Sequence, residues 1–158
     1  MGSLSGAIDG NGGGLKALDY LFDYGEGTAY TLTTSPAILN FGTSGDLKVT
    51  VAVSGTYIFF FQTRENLSAI TASAAANYTT YTLRRDGVIA SVDTLGTRIS
   101  VLASAIVGAH CFDVGLYFLI DDAVAGEVFS IYGKKQGSTT GAWTLDSDNT
   151  QLLGVRIA

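Results

Sequence analysis

Residues 49–63, VTVAVSGTYIFFFQT, constrain the chain more than any other stretch. Two β-like runs meet at Ser54-Gly55. In the first, Val49, Val51 and Val53 alternate with Thr50 and Ala52. In the second, Tyr57, Phe59 and Phe61 take one face and Ile58 and Phe60 the other, because successive side chains of a strand point to opposite faces. A sheet with one wet face shows polar residues on that face. Here both faces are apolar. Such a strand is covered on both sides within one chain, or its second face is covered by another copy. Residues 111–120 share this character: Phe112, Val114, Leu116, Phe118 and Ile120 oppose Cys111, Tyr117 and Leu119. The pattern points to a β protein that assembles.

Composition agrees. Charged residues make up only 15% of 158, against about 25% in ordinary soluble domains. Little charged surface is available, so partners are expected to cover part of it. The length suits one domain with a sizeable core. A net charge of −5 argues against nucleic acid as a direct partner, which needs clustered Lys and Arg. No stretch approaches the roughly 20 apolar residues of a membrane helix, so no membrane partner is expected. Residues 1–14 lack the basic start and apolar run of a signal peptide. Cys111, the single cysteine, excludes an internal disulfide and reads as a buried core thiol made in a reducing cytoplasm.

The glycine-rich start, MGSLSGAIDGNGGG, reads as an arm. Leu15, Leu18, Leu21 and Phe22 then recur at helix-compatible spacing. They suit a short helix or an extended docking segment, lying along the chain's own domain or on a larger scaffold. Residues 1–27 are therefore taken as an N-terminal arm and 28–158 as the domain. Strands are expected at 28–34, 37–41, 47–53, 55–63, 78–85, 88–93, 98–107, 111–120, 127–134 and 151–157. Asp86-Gly87 is a two-residue hairpin signal, because both central residues tolerate positive φ. About ten short strands separated by turn residues mean a sandwich or barrel. Residues 65–77 read as a long surface loop. Trp143, beside a glycine-rich stretch, reads as core, as a subunit contact or as a binding anchor.

The order of segments resembles the C1q/TNF-like jelly roll. Ser54-Gly55-Thr56-Tyr57 matches that family's "sGtY" strand. Ala125-Gly126-Glu127-Val128 matches its "aGD.v" opening of the penultimate strand, with Glu127 replacing Asp. Residues 153–157, LGVRI, match its final apolar strand. The resemblance covers residues 28–158 and implies an all-β, antiparallel jelly-roll sandwich with an N-terminal extended arm. It also implies a homotrimer whose three-fold axis is lined by aromatic and aliphatic residues, here Tyr57, Phe59, Phe61, Phe112, Tyr117 and Leu119. With no collagen-like stalk and an arm instead, the chain looks like a phage virion component.

Chemistry is sparse. His110 has no GxSxG serine to activate, points away from Cys111 on a strand, and reads as a turn residue. One His and one Cys cannot build a zinc site. Asp121-Asp122 and residues 146–149 offer oxygen ligands of the kind Ca²⁺ takes, without EF-hand spacing; metal-free Asp turns are commoner. Of the doubled basics Arg84-Arg85 and Lys134-Lys135, one member each is expected to meet an acid at an interface or to serve as a solvated charge on a sheet edge. The expected function is a non-enzymatic capsid decoration (cement) protein on the virion surface. Leu15, Leu18, Tyr20, Leu21 and Phe22 would attach it to the major capsid protein. The alternative is a spike or fibre knob that binds a host receptor or glycan through its distal loops.

Overall fold

The computed structural model describes residues 20–70, 77–91, 94–99, 106–137 and 142–158. Twelve strands occur among them: β1 (Tyr20–Tyr24), β2 (Tyr30–Thr31), β3 (Ala37–Ile38), β4 (Lys48–Thr50), β5 (Gly55–Ile70), β6 (Asn77–Arg85), β7 (Val88–Ile89), β8 (Thr94–Ile99), β9 (Ile106–Ala123), β10 (Val128–Gln136), β11 (Trp143–Leu145) and β12 (Gln151–Arg156). All their pairings are antiparallel. They form two sheets, the jelly-roll sandwich expected from the sequence.

In the first sheet β5 is the spine. Along one edge it pairs with β12 and then β11, which carry β1 and β2 outboard; along the other it pairs with β9. In the second sheet β10 lies between β6 on one side and β3 and β4 on the other, and β6 carries β7 and β8. The sheets close on a core that includes Tyr57, Phe59, Phe61, Phe118 and Leu152 from the first and Tyr81, Leu83, Phe129 and Ile131 from the second. Ring contacts stitch the layers: Phe59 stacks on Phe129 at 4.6 Å between centroids, and Phe61 meets Tyr81 at 4.8 Å.

Local chemistry explains the turns. Asp86 and Gly87 both take positive φ, 49° and 82°, so β6 folds back on β7 as that dipeptide dictates. Asp146 caps a short 3₁₀ turn, Ser147–Asn149, by accepting from the Asp148 amide.

Several expectations are corrected. Among the described residues the sandwich already includes Tyr20–Tyr24, which was expected to belong to the arm. Tyr20, Leu21 and Phe22 are part of β1, paired with β12, because their alternation supplies a sheet-facing Leu21. Residues 1–19, with Leu15 and Leu18, lie outside the described residues. β5 continues to Ile70, so Glu65 is not in a surface loop; residues 71–76 lie outside the described set. β8 runs 94–99 rather than from 98, and β11 lies where only a loop was expected. Trp143 is core. Cys111 is exposed rather than buried, and His110 belongs to β9 rather than a turn.

Candidate functional site

The main correction concerns the residues expected at a subunit interface. Tyr57, Phe59 and Phe61 are fully buried within the single chain, and Phe112 packs against the same core. None of the three buried rings has surface left to offer a second copy. The strand does carry two apolar faces, as its sequence shows, but the odd-numbered face is the inner one. The outer face holds Ile58 and Phe60. Tyr117 and Leu119 of β9 share it and stand 75% and 61% exposed.

Register assembles these residues into two rows that run across four strands. Phe22 lies opposite Leu153, Leu153 opposite Phe60, and Phe60 opposite Tyr117. One pleat along, Tyr20, Val155, Ile58 and Leu119 are aligned in the same way. All eight side chains are apolar or aromatic, and residues paired across a sheet stand on the same face. The next row, Tyr24, Gln151, Gln62 and Gly115, turns polar. Beyond it Arg64 pairs with Asp113 at 2.8 Å, and the Cys111 thiol donates to the Asn66 amide oxygen at 2.9 Å. The ion pair holds the Asp113 carboxyl below its ordinary pKa, first through the Arg64 hydrogen bond. The face is thus a graded surface, greasy at the β1–β12 end and polar at the other. At its β1 rim the rings of Phe22 and Tyr24 stack at 5.8 Å and open on a groove of about 400 Å³ lined also by Gln62, Asp148, Asn149 and Gln151.

Within the sandwich the sequence reading missed one polar constellation. Glu65 on β5 is fully buried. Its Oε1 accepts from the Thr79 hydroxyl at 2.7 Å and the Tyr81 hydroxyl at 2.5 Å, both on β6. Its Oε2 accepts from the Trp143 indole N–H at 3.1 Å. The carboxylate therefore ties the two sheets together through Thr79 and Tyr81 and fixes β11 beside β5 through Trp143. Burial first, and then the Glu65 charge, raise the Tyr81 phenol well above its ordinary pKa. The sequence signal was the uninterrupted alternation Phe61, Thr63, Glu65, Leu67, all buried.

The doubled basics split between faces. Arg85 pairs inside the chain with Asp122 and with Glu127, rather than across an interface; Arg84 lies over the Tyr132 ring. Asp122 is thereby engaged by a cation, and Asp146 by its own cap. Among the described residues no three His, Cys, Asp or Glu side chains converge as metal ligands.

No protein-family model matches the sequence, and no curated protein sequence matches it. Among solved structures, the chain is similar to the Eiger TNF of S. frugiperda, with a TM-score of 0.54 over 89% of this chain and 93% of that one. At 10% identity the likeness is one of fold. The chain is a TNF-like, antiparallel jelly roll.

Proposed function

We propose that the protein is a non-enzymatic structural protein of a virion surface, a homotrimer that decorates a capsid and is held there by its N-terminal segment. The observation that carries the self-assembly is the pair of apolar rows on the outer face of the first sheet. Exposed apolar patches beyond a few hundred Å² mark interaction sites. Eight large side chains in two aligned rows present on the order of 500 Å² per subunit, using typical aromatic areas. At about 25 cal/mol per Å² that is roughly 12 kcal/mol of gross burial before ordering costs. A TNF-like fold and a low overall charge support association of identical subunits through this face.

The placement of Tyr20 and Phe22 supports a division of labour along the chain. Tyr20 and Phe22 are already sheet residues on the apolar face, so the capsid contact falls to residues 1–19, which include Leu15 and Leu18. Three such segments on one trimer offset the ordering cost of each by multivalency. Deleting residues 1–19 tests this reading. The truncated protein should keep its oligomeric mass in light scattering and fail to co-sediment with empty capsids. Retained capsid binding, or loss of the oligomer, would refute it.

A further inference from the structure

The groove at the β1 rim of the first sheet, about 400 Å³ in volume, lies beyond the two apolar rows. Its Tyr24, Gln151 and Gln62 belong to the next, polar row. The 3₁₀ turn adds Asp148 and Asn149, and β1 adds Phe22 beside Tyr24. Both rings are about half exposed, at 52% and 51%. They stack on each other at 5.8 Å and 27°, which uses one face of each and leaves the rest to solvent.

The hydrogen bonds already made decide what the groove still offers. The exposed Asp148 carboxylate accepts one long bond, from the Ser147 hydroxyl at 3.4 Å, and joins none of the ion pairs found among the described residues. Asn149 gives its NH₂ to the Asp146 carboxylate at 2.8 Å and so presents its amide oxygen. Gln151 donates to Gln62 at 3.1 Å, which leaves that pair one amide oxygen and one NH₂. The Thr150 hydroxyl is spent on the Asp146 carbonyl at 2.6 Å. Among the described residues no lysine, arginine or histidine lines the groove. A carboxylate, two amide oxygens and two electron-rich rings thus outweigh one NH₂ and the Tyr24 hydroxyl.

Such a groove repels anions and attracts a cation. A neutral occupant would desolvate the Asp148 carboxylate without a counter-charge. Aromatic ring faces attract cations through their quadrupole. A guanidinium is planar, stacks on rings and carries a fork of donors for a carboxylate and amide oxygens. An ammonium is a compact, strongly hydrated point charge and gains less from a ring face. Arginine is also enriched among the residues that anchor protein–protein contacts. We propose that the groove is a socket for an arginine side chain presented by a partner protein. The proposal needs neither the trimer nor the N-terminal segment.

Full-length protein would be titrated, with backbone amide NMR shifts as the readout, against the Nα-acetyl amides of arginine, lysine and citrulline, the last an uncharged near-isostere of arginine. Millimolar binding of the arginine probe is expected, with shifts centred on Tyr24 and residues 148–151, weaker binding of lysine and none of citrulline. Asp148→Asn should lose about fivefold in affinity, as an exposed ion pair does. Tyr24→Leu should lose about threefold without any change of charge. Both should keep the wild-type oligomeric mass. No binding of the arginine probe, equal binding of lysine or citrulline, or unchanged affinity in Asp148→Asn would overturn the proposal. Oligomeric mass and capsid co-sedimentation, measured in parallel, read the proposed function separately.

Discussion

Replacing Glu65 should be among the most damaging single changes in the chain. Glu65→Ala removes the acceptor for three donors in the closed interior of the sandwich. The Trp143 N–H and the Tyr81 and Thr79 hydroxyls all lose their carboxylate acceptor, and the Thr97 amide, which donates to Thr79 Oγ1 at 2.9 Å, takes up none of these lost donors. Each orphaned buried donor costs about 1–3 kcal/mol, so three of them, with some cavity, come to roughly 5 kcal/mol. That is a large share of the 5–15 kcal/mol expected of a domain. Glu65→Gln is milder. Its amide oxygen can still accept from Thr79 and Tyr81, but its NH₂ then faces the Trp143 N–H, donor against donor, at about 2 kcal/mol. Adding Trp143→Phe removes that clash. The double variant should therefore be less destabilised than the sum of the singles by about 1–2 kcal/mol. Urea denaturation at one fixed protein concentration reads all five proteins, wild type included, since association contributes to apparent stability. A Glu65→Ala variant within 0.5 kcal/mol of wild type would refute the inter-sheet tie, and strictly additive effects in the cycle would refute the Glu65–Trp143 hydrogen bond within the first sheet.

Other outcomes follow from the same geometry. Because the folded Tyr81 phenol is raised above its ordinary value of 10.0, the protonated form is favoured by folding. The associated stability is complete below about pH 10 and declines as pH rises above it; Tyr81→Phe should flatten that alkaline limb in a pH series of thermal unfolding, and an unchanged limb would contradict the assignment. Gly87→Ala meets open space but strains a φ of 82°, so it should cost about 1 kcal/mol through backbone conformation alone, measured by denaturant midpoint, with no change of oligomeric mass. Arg64→Ala should leave stability unchanged at 150 mM salt, because the Arg64–Asp113 pair is exposed and screened; a fall in denaturation midpoint would show that the pair is shielded in the assembly.

Much of the fold was legible because strand alternation and turn chemistry are local. The Asp86-Gly87 hairpin, the β5 and β9 runs and the final strand could be read from side-chain period and φ preference. Which face of β5 points inward could not be read from residues 57–61, where both parities are apolar. The answer lay further on: the Ile58–Phe60 face continues into Gln62, Arg64 and Asn66, whereas the Tyr57–Phe61 face continues into Thr63, Glu65 and Leu67. Ending the strand at Thr63 hid that contrast and also hid the buried Glu65. β11 is three residues long, too short for period to register, so Trp143 gave no sign of its strand. Cys111 followed from the same parity: lying opposite Asn66, it belongs to the outer face.

The most direct test of self-assembly through the outer face of the first sheet is sedimentation equilibrium of the full-length protein beside the variants Phe60→Asp and Tyr117→Asp. Both positions are solvent-exposed in the single chain, so the variants should fold. The wild type should sediment at three times the 16.5 kDa chain mass, and each variant should fall to the monomer with its far-UV spectrum unchanged. A wild type that remains a 16.5 kDa particle at high concentration, or an oligomer indifferent to both aspartates, would contradict the account.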